Sequence, residues 1–138
     1  MSVVGGGASA GALKQDSLTL VSNGKRHEIS IELAQTPEEK AVGLMFRPSL
    51  GRRSGMLFPY EKPQELTMWM RNTYIELDMV FIRADGVVHR IEERTEPFSE
   101  RIIASQGDVL AVLELAGGVA RELGLKPGDV VDHAIFGR

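Results

Sequence analysis

The chain has 138 residues, 43% hydrophobic and 25% charged, enough apolar material to bury one core and too much for a chain that stays disordered. Its 16 Lys and Arg against 19 Asp and Glu leave a net charge of −3, which provides no field for nucleic acid or an anionic membrane, and neither partner is expected. There is no cysteine, so disulfides, thiolate nucleophiles and thiolate metal sites are excluded together.

Residues 1–16 are mostly small and read as flexible, and Ala8-Ser9-Ala10 has the small-x-small form of a secretory cleavage site without the apolar stretch that should precede it. They read either as the remnant of an export leader or as a loose Gly/Ala tail. Both readings leave 17–138 as one globular domain. No apolar run is long enough for a transmembrane helix, so no integral membrane segment is expected.

Ser17–Val21 and Arg26–Leu33 alternate apolar and polar residues around Asn23-Gly24, the dipeptide suited to a tight hairpin turn. Thr36-Pro37-Glu38-Glu39 then supplies a capping hydroxyl, a proline at the first helical position and a glutamate three residues after the cap, predicting a short helix to about Phe46. A basic loop over 50–54 leads to a short apolar strand, Gly55–Phe58, and Pro59 and Pro63 bracket a turn. Glu65–Arg71 alternates again, with Leu66, Met68 and Met70 on one face and Thr67, Trp69 and Arg71 on the other.

Ile75–Arg83 and Val87–Arg94 flank Ala84-Asp85-Gly86 as a second hairpin. Val109–Leu115 is apolar except for Glu114 and reads as a central strand covered on both faces. Val119–Leu123 forms a turn or two of helix before Gly124, and Val130–Phe136 is the last strand. About seven short strands and two minor helices, without strand–helix alternation, predict an α+β fold. Its mostly antiparallel strands should curl into a partly closed β-barrel.

The segments Gly43-Leu44-Met45-Phe46-Arg47, Gly55-Met56-Leu57-Phe58, Met68-Trp69-Met70-Arg71-Asn72-Thr73, Leu77-Asp78, Leu113-Glu114-Leu115 and Gly124-Leu125-Lys126-Pro127-Gly128-Asp129 together resemble the bacterial and archaeal family known as domain of unknown function 192. The resemblance covers roughly 28–136. It implies a small β-rich fold and no activity. Members often carry an export signal or anchor, which would place the chain in the periplasm or outside the cell; without such a leader it would be cytoplasmic.

Candidate chemistry concentrates between Trp69 and Asp78. Trp69 and Arg71 share a strand face and form a platform for a flat or sugar-like ligand, although filling one end of the barrel core is the ordinary role of such an aromatic. Asn72 either orients a ligand or closes a turn through its own backbone. Asp78 and Glu114 lie in apolar surroundings, where a carboxylate must be paired, exposed or protonated. Arg71 and Arg47 are the candidate partners in a structural ion pair. If the two carboxyls instead met, they could act as an acid–base pair on a glycosidic or ester bond.

Met45, Met56, Met68, Met70 and Met79 raise monovalent copper as a third reading, with His27, His89 or His133 completing the site, though Met68 and Met70 alternate as core residues would. The histidines lack zinc-site spacing, and neither a phosphate loop nor a nucleophile elbow is present, so no metal site and no cofactor are assigned. A binding module for a small polar ligand or a partner peptide, using Trp69, Arg71, Asn72, Asp78 and Arg47, ranks first. A paired-carboxylate hydrolase and copper handling follow. Nothing in the sequence fixes an oligomeric state.

Overall fold

The computed structural model describes residues 12–138; the Ala8-Ser9-Ala10 motif and most of the expected tail lie outside them. In chain order the elements are β1 (Lys14–Ser22), β2 (Lys25–Leu33), α1 (Pro37–Val42), β3 (Ser54–Met68), β4 (Leu77–Ile82), β5 (Val88–Glu92), β6 (Ile103–Ala116), α2 (Val119–Leu123) and β7 (Val130–Asp132), ending in a 3-10 turn, Ala134–Phe136. The strands form one sheet in the order β5-β4-β6-β3-β2-β1-β7. Only the β2–β3 pair is parallel; the others are antiparallel. The two ends of the sheet meet at a single bridge between Val87 and Val130, where Val131 N–H donates to Gly86 O at 2.8 Å and Val88 N–H to Asp129 O at 2.8 Å. The expected α+β, partly closed barrel is therefore the observed architecture.

Local signals explain the elements they mark. Asn23 and Gly24 both take positive φ angles, 53° and 75°, as a two-residue hairpin turn requires, and Ser22 pairs with Lys25 across it. Thr36 caps α1 reciprocally: its Oγ1 accepts from Glu39 N–H at 3.1 Å, and Glu39 Oε1 accepts from Thr36 N–H at 3.1 Å. The helix stops at Val42 rather than running to Phe46, because Gly43 breaks it with φ 50°.

Three expectations are corrected. Pro59 and Pro63 do not bracket a turn: β3 runs through both to Met68, and its pairing with β6 shifts register between Pro59 and Gln64, so Pro59, opposite Ala111, is the last paired residue before the interruption and Pro63 lies within it. The last strand ends at Asp132, and His133 caps the 3-10 turn by accepting from Ile135 N–H at 3.2 Å. The first strand begins at Lys14, inside the stretch assigned to the tail, since 14–16 pair with Ile31–Leu33 of β2.

Two apolar clusters lie on opposite faces of the sheet. The barrel interior contains Leu20, Ile29, Leu57, Val80, Leu113 and Val131, closed by Val119 and Ala120 of α2. The second cluster, outside the barrel, contains Leu44, Met56, Phe58, Met79, Phe81 and Val112. Strand β6 passes between them and is buried on both faces from Ala111 to Ala116, as its apolar run predicts.

Asp78, fully buried, fastens the barrel end. Its carboxylate accepts from the backbone N–H groups of Arg94 at 2.8 Å, Gly118 at 3.0 Å and Ala120 at 2.8 Å, satisfying donors at the start of α2 that have no intrahelical partner. Asp78→Ala would orphan three backbone donors. Chemical denaturation should register a loss of about 3 kcal/mol or more.

Candidate active site

The candidate residues divide according to strand register. Asp78 pairs with Leu115, and Glu114 pairs with Met79 on β4 and Met56 on β3. Because side chains alternate across a sheet, Asp78 points to the barrel interior with Val80 and Ile82, and Glu114 points to the outer cluster with Met56 and Met79. The sheet separates the two carboxyls, so the paired acid–base arrangement has no geometric basis. Neither carboxyl pairs with an arginine: Asp78 is held by backbone N–H groups, and Arg47 forms a two-pronged contact with Glu32 at 2.8 and 3.3 Å.

Glu114 lies at the floor of a cavity of about 260 Å³. Helix α1, strand β3 and the segments that follow each of them build the walls over β6. Lys40 and Ala41 come from α1, Phe58, Tyr60, Thr67 and Met68 from β3, and Trp69, Arg71 and Thr73 from the loop that follows β3. The strand β3 must approach β6 closely for this geometry: a Cβ on Gly55 would lie 2.7 Å from the Glu114 carbonyl oxygen, so only glycine fits.

The cavity has a distinct electrostatic character. Glu114 is 3% exposed, and burial alone pushes its carboxyl up to about 8, so it is largely protonated at neutral pH. Tyr60 is raised as well, by burial first and by Glu114 second. Lys40 Nζ sits 3.7 Å from the centroid of the Tyr60 ring, a cation–π contact at the rim. Burial lowers its pKa, and Glu61 opposes that shift.

Trp69 is 40% exposed and belongs to neither core; its indole stands on the cavity wall beside Arg71, whose guanidinium carbon lies 5.2 Å from the ring centroid. The expected strand Glu65–Arg71 ends at Met68, so the two side chains meet in the loop after β3 and not on a shared strand face. Asn72 closes a turn instead, with φ 53° and its carbonyl accepting from Phe46 N–H at 2.9 Å. Asp78, Asn72 and Arg47 are not among the cavity's lining residues.

The methionines are dispersed. Met56, Met70 and Met79 are fully buried in the outer core, and Met45 and Met68 touch the cavity. His89 Nε2 lies 2.9 Å from Gln106 O, and His133 Nε2 lies 2.9 Å from Asp16. Among the described residues no three His, Cys, Asp or Glu side chains gather as a metal site.

Lys40, Tyr60 and Thr67 were not singled out by sequence. The proline-bearing stretch around Tyr60 looks like a turn, and Lys40 reaches the cavity only through the docking of α1.

Comparison with known proteins adds a lineage without a reaction. The model of domain of unknown function 192, described as "Uncharacterized ACR", matches residues 18–133. No curated protein matches the chain. A solved structure from Sinorhizobium meliloti 1021, described as a "putative transcription regulator", is 38% identical, with a TM-score of 0.88 over 90% of this chain and 97% of that one. A protein of unknown function from Novosphingobium aromaticivorans DSM 12444 is 42% identical, with a TM-score of 0.86 over 89% of this chain and 88% of that one.

The raised carboxyl has a thermodynamic signature. An acid whose folded pKa lies above its unfolded value contributes stability that is complete below about 4.5 and declines as pH rises toward about 8. Glu114 should add a slope approaching about 1.4 kcal/mol per pH unit across that window. Denaturation measured from pH 5 to 8 should show this slope in the wild type and lose it in Glu114→Gln.

Proposed function

The chain belongs to the family of domain of unknown function 192, and from that premise we propose that it is a binding module whose cavity beside Trp69 receives a small polar ligand. The observation that carries this reading is the cavity itself, where an exposed indole, two cationic side chains and a buried carboxyl converge on one space. A pocket with an apolar wall and a few converging polar groups is the usual form of a ligand site. Glu114 supports it further: among the described residues no side-chain hydrogen bond to its carboxyl is formed, and it lines the cavity, where a ligand meets it. The net charge of −3 supplies no basic footprint for DNA, which favours a small ligand over direct DNA contact.

Trp69 is the sole tryptophan, so its fluorescence reports on this wall without a label. Acrylamide should quench it in the free protein, and at least one of a panel of short peptides, oligosaccharides and small organic acids should protect it saturably. Thr67→Phe, at an exposed wall position, should fill the cavity and abolish protection with little change in Tm. Protection that survives this substitution unchanged would place the binding elsewhere.

A further inference from the structure

The cavity's volume of about 260 Å³ falls below the roughly 300–1,000 Å³ that encloses a drug-sized ligand, so it accommodates one end of a longer molecule. The surface beside it has two unusual properties. The wall residues Met45 and Thr73 are followed directly by Phe46 and Tyr74, which with Phe98 form an aromatic triad: the Phe46 and Tyr74 ring centroids are 6.1 Å apart, edge to face, and those of Tyr74 and Phe98 are 5.5 Å apart. All three are exposed, by 57%, 47% and 59% respectively. Phe46 and Phe98 also hold left-handed backbone, φ 66° and 68°, flanking the left-handed Asn72. Phe46 N–H donates to Asn72 O at 2.9 Å and Phe98 N–H to Thr73 O at 3.0 Å. Bulky side chains rarely take this conformation, and such strain gathers at functional sites.

The cavity's charges identify what would enter. Lys40 and Arg71 are its two cations, and Glu114, its one carboxyl, is kept neutral by burial. Their acidic neighbours are exposed: Glu61 near Lys40, and Glu100 at 3.7 Å from Arg71. Pairing of that kind is weak and readily exchanged. The site is therefore complementary to an anion. A neutral carboxylic acid offers one donor and one acceptor, the complement of the C=O and N–H of a peptide group. The edge-on and tilted rings present exposed apolar surface for the side chains of such a molecule.

We infer that the occupant is the C-terminal end of a peptide with apolar final residues, its terminal carboxylate between Lys40 and Arg71 and its side chains against Phe46, Tyr74 and Phe98. This rests on the binding reading above and names the ligand class for the same cavity.

The test titrates Trp69 fluorescence with N-acetyl-Ala-Phe-Leu as the free acid, the same tripeptide as its C-terminal amide, 3-phenylpropionate and maltose. The free acid should saturate, with the amide about tenfold weaker, and the double variant Lys40→Gln, Arg71→Gln should reduce the acid to the level of the amide. Phe98→Gly should weaken the tripeptide while leaving Tm unchanged or higher, since glycine adopts the left-handed conformation freely. Equal binding of acid and amide, binding of 3-phenylpropionate as tight as the tripeptide, saturation by maltose alone, or a lowered Tm in Phe98→Gly would each overturn the inference. The first three of those results leave the binding reading standing. No response to any probe would overturn both.

Discussion

Strand β6 is enclosed on both sides, hydrogen-bonded to β3 along one edge and β4 along the other, with an apolar cluster over each face. A strand so placed has no solvated face on which to put a charge. Between Ala111 and Ala116, where both faces are covered, a side chain must therefore be apolar or must lie beneath an opening. Glu114 is the exception within its apolar run, and the opening above it is the cavity. The position of the cavity, its depth and the neutrality of its floor all follow from that enclosure.

The same alternation that buries Glu114 separates it from Asp78. With β4 and β6 antiparallel, Asp78 opposite Leu115 and Met79 opposite Glu114, the two carboxyls belong to different compartments and different tasks. Asp78 satisfies the backbone donors of a five-residue helix too short to hold itself. Glu114 forms no such hydrogen bond among the described residues and lines the cavity instead. One carboxyl is absorbed by the architecture and the other remains available.

Much of this was legible in the sequence because the signals were local. Asn23-Gly24, the Thr36–Glu39 capping box and the apolar run of β6 each specify their element through neighbouring residues alone. The partly closed barrel followed from counting such elements, and the concentration of polar and aromatic residues after Met68 marked one wall of the site. Register was not legible: nothing local says which β4 residue faces Glu114, so Asp78 and Glu114 looked alike. Pro59 and Pro63 read as a turn because a proline's missing N–H counts against a strand only if the ladder continues there. In β3 it does not. Lys40 and Tyr60 enter the site through the docking of a helix and the path of that interrupted strand, which are properties of the assembled chain.

The seam of the barrel brings together regions far apart in sequence. β7 lies against β1 through Thr19, Leu20 and Val21, and its Val130 bridges to Val87 beside β5. As the chain leaves the ribosome, β1 can pair with β2 at once through their hairpin, but its other edge has no partner until β7 has been made. An unpaired edge of that kind templates association between nascent chains. Lys14, Gln15 and Asp16, polar and exposed at the open end of β1, are the sort of residues that blunt such an edge during synthesis, and β7, made after the other described strands, is the one that covers it.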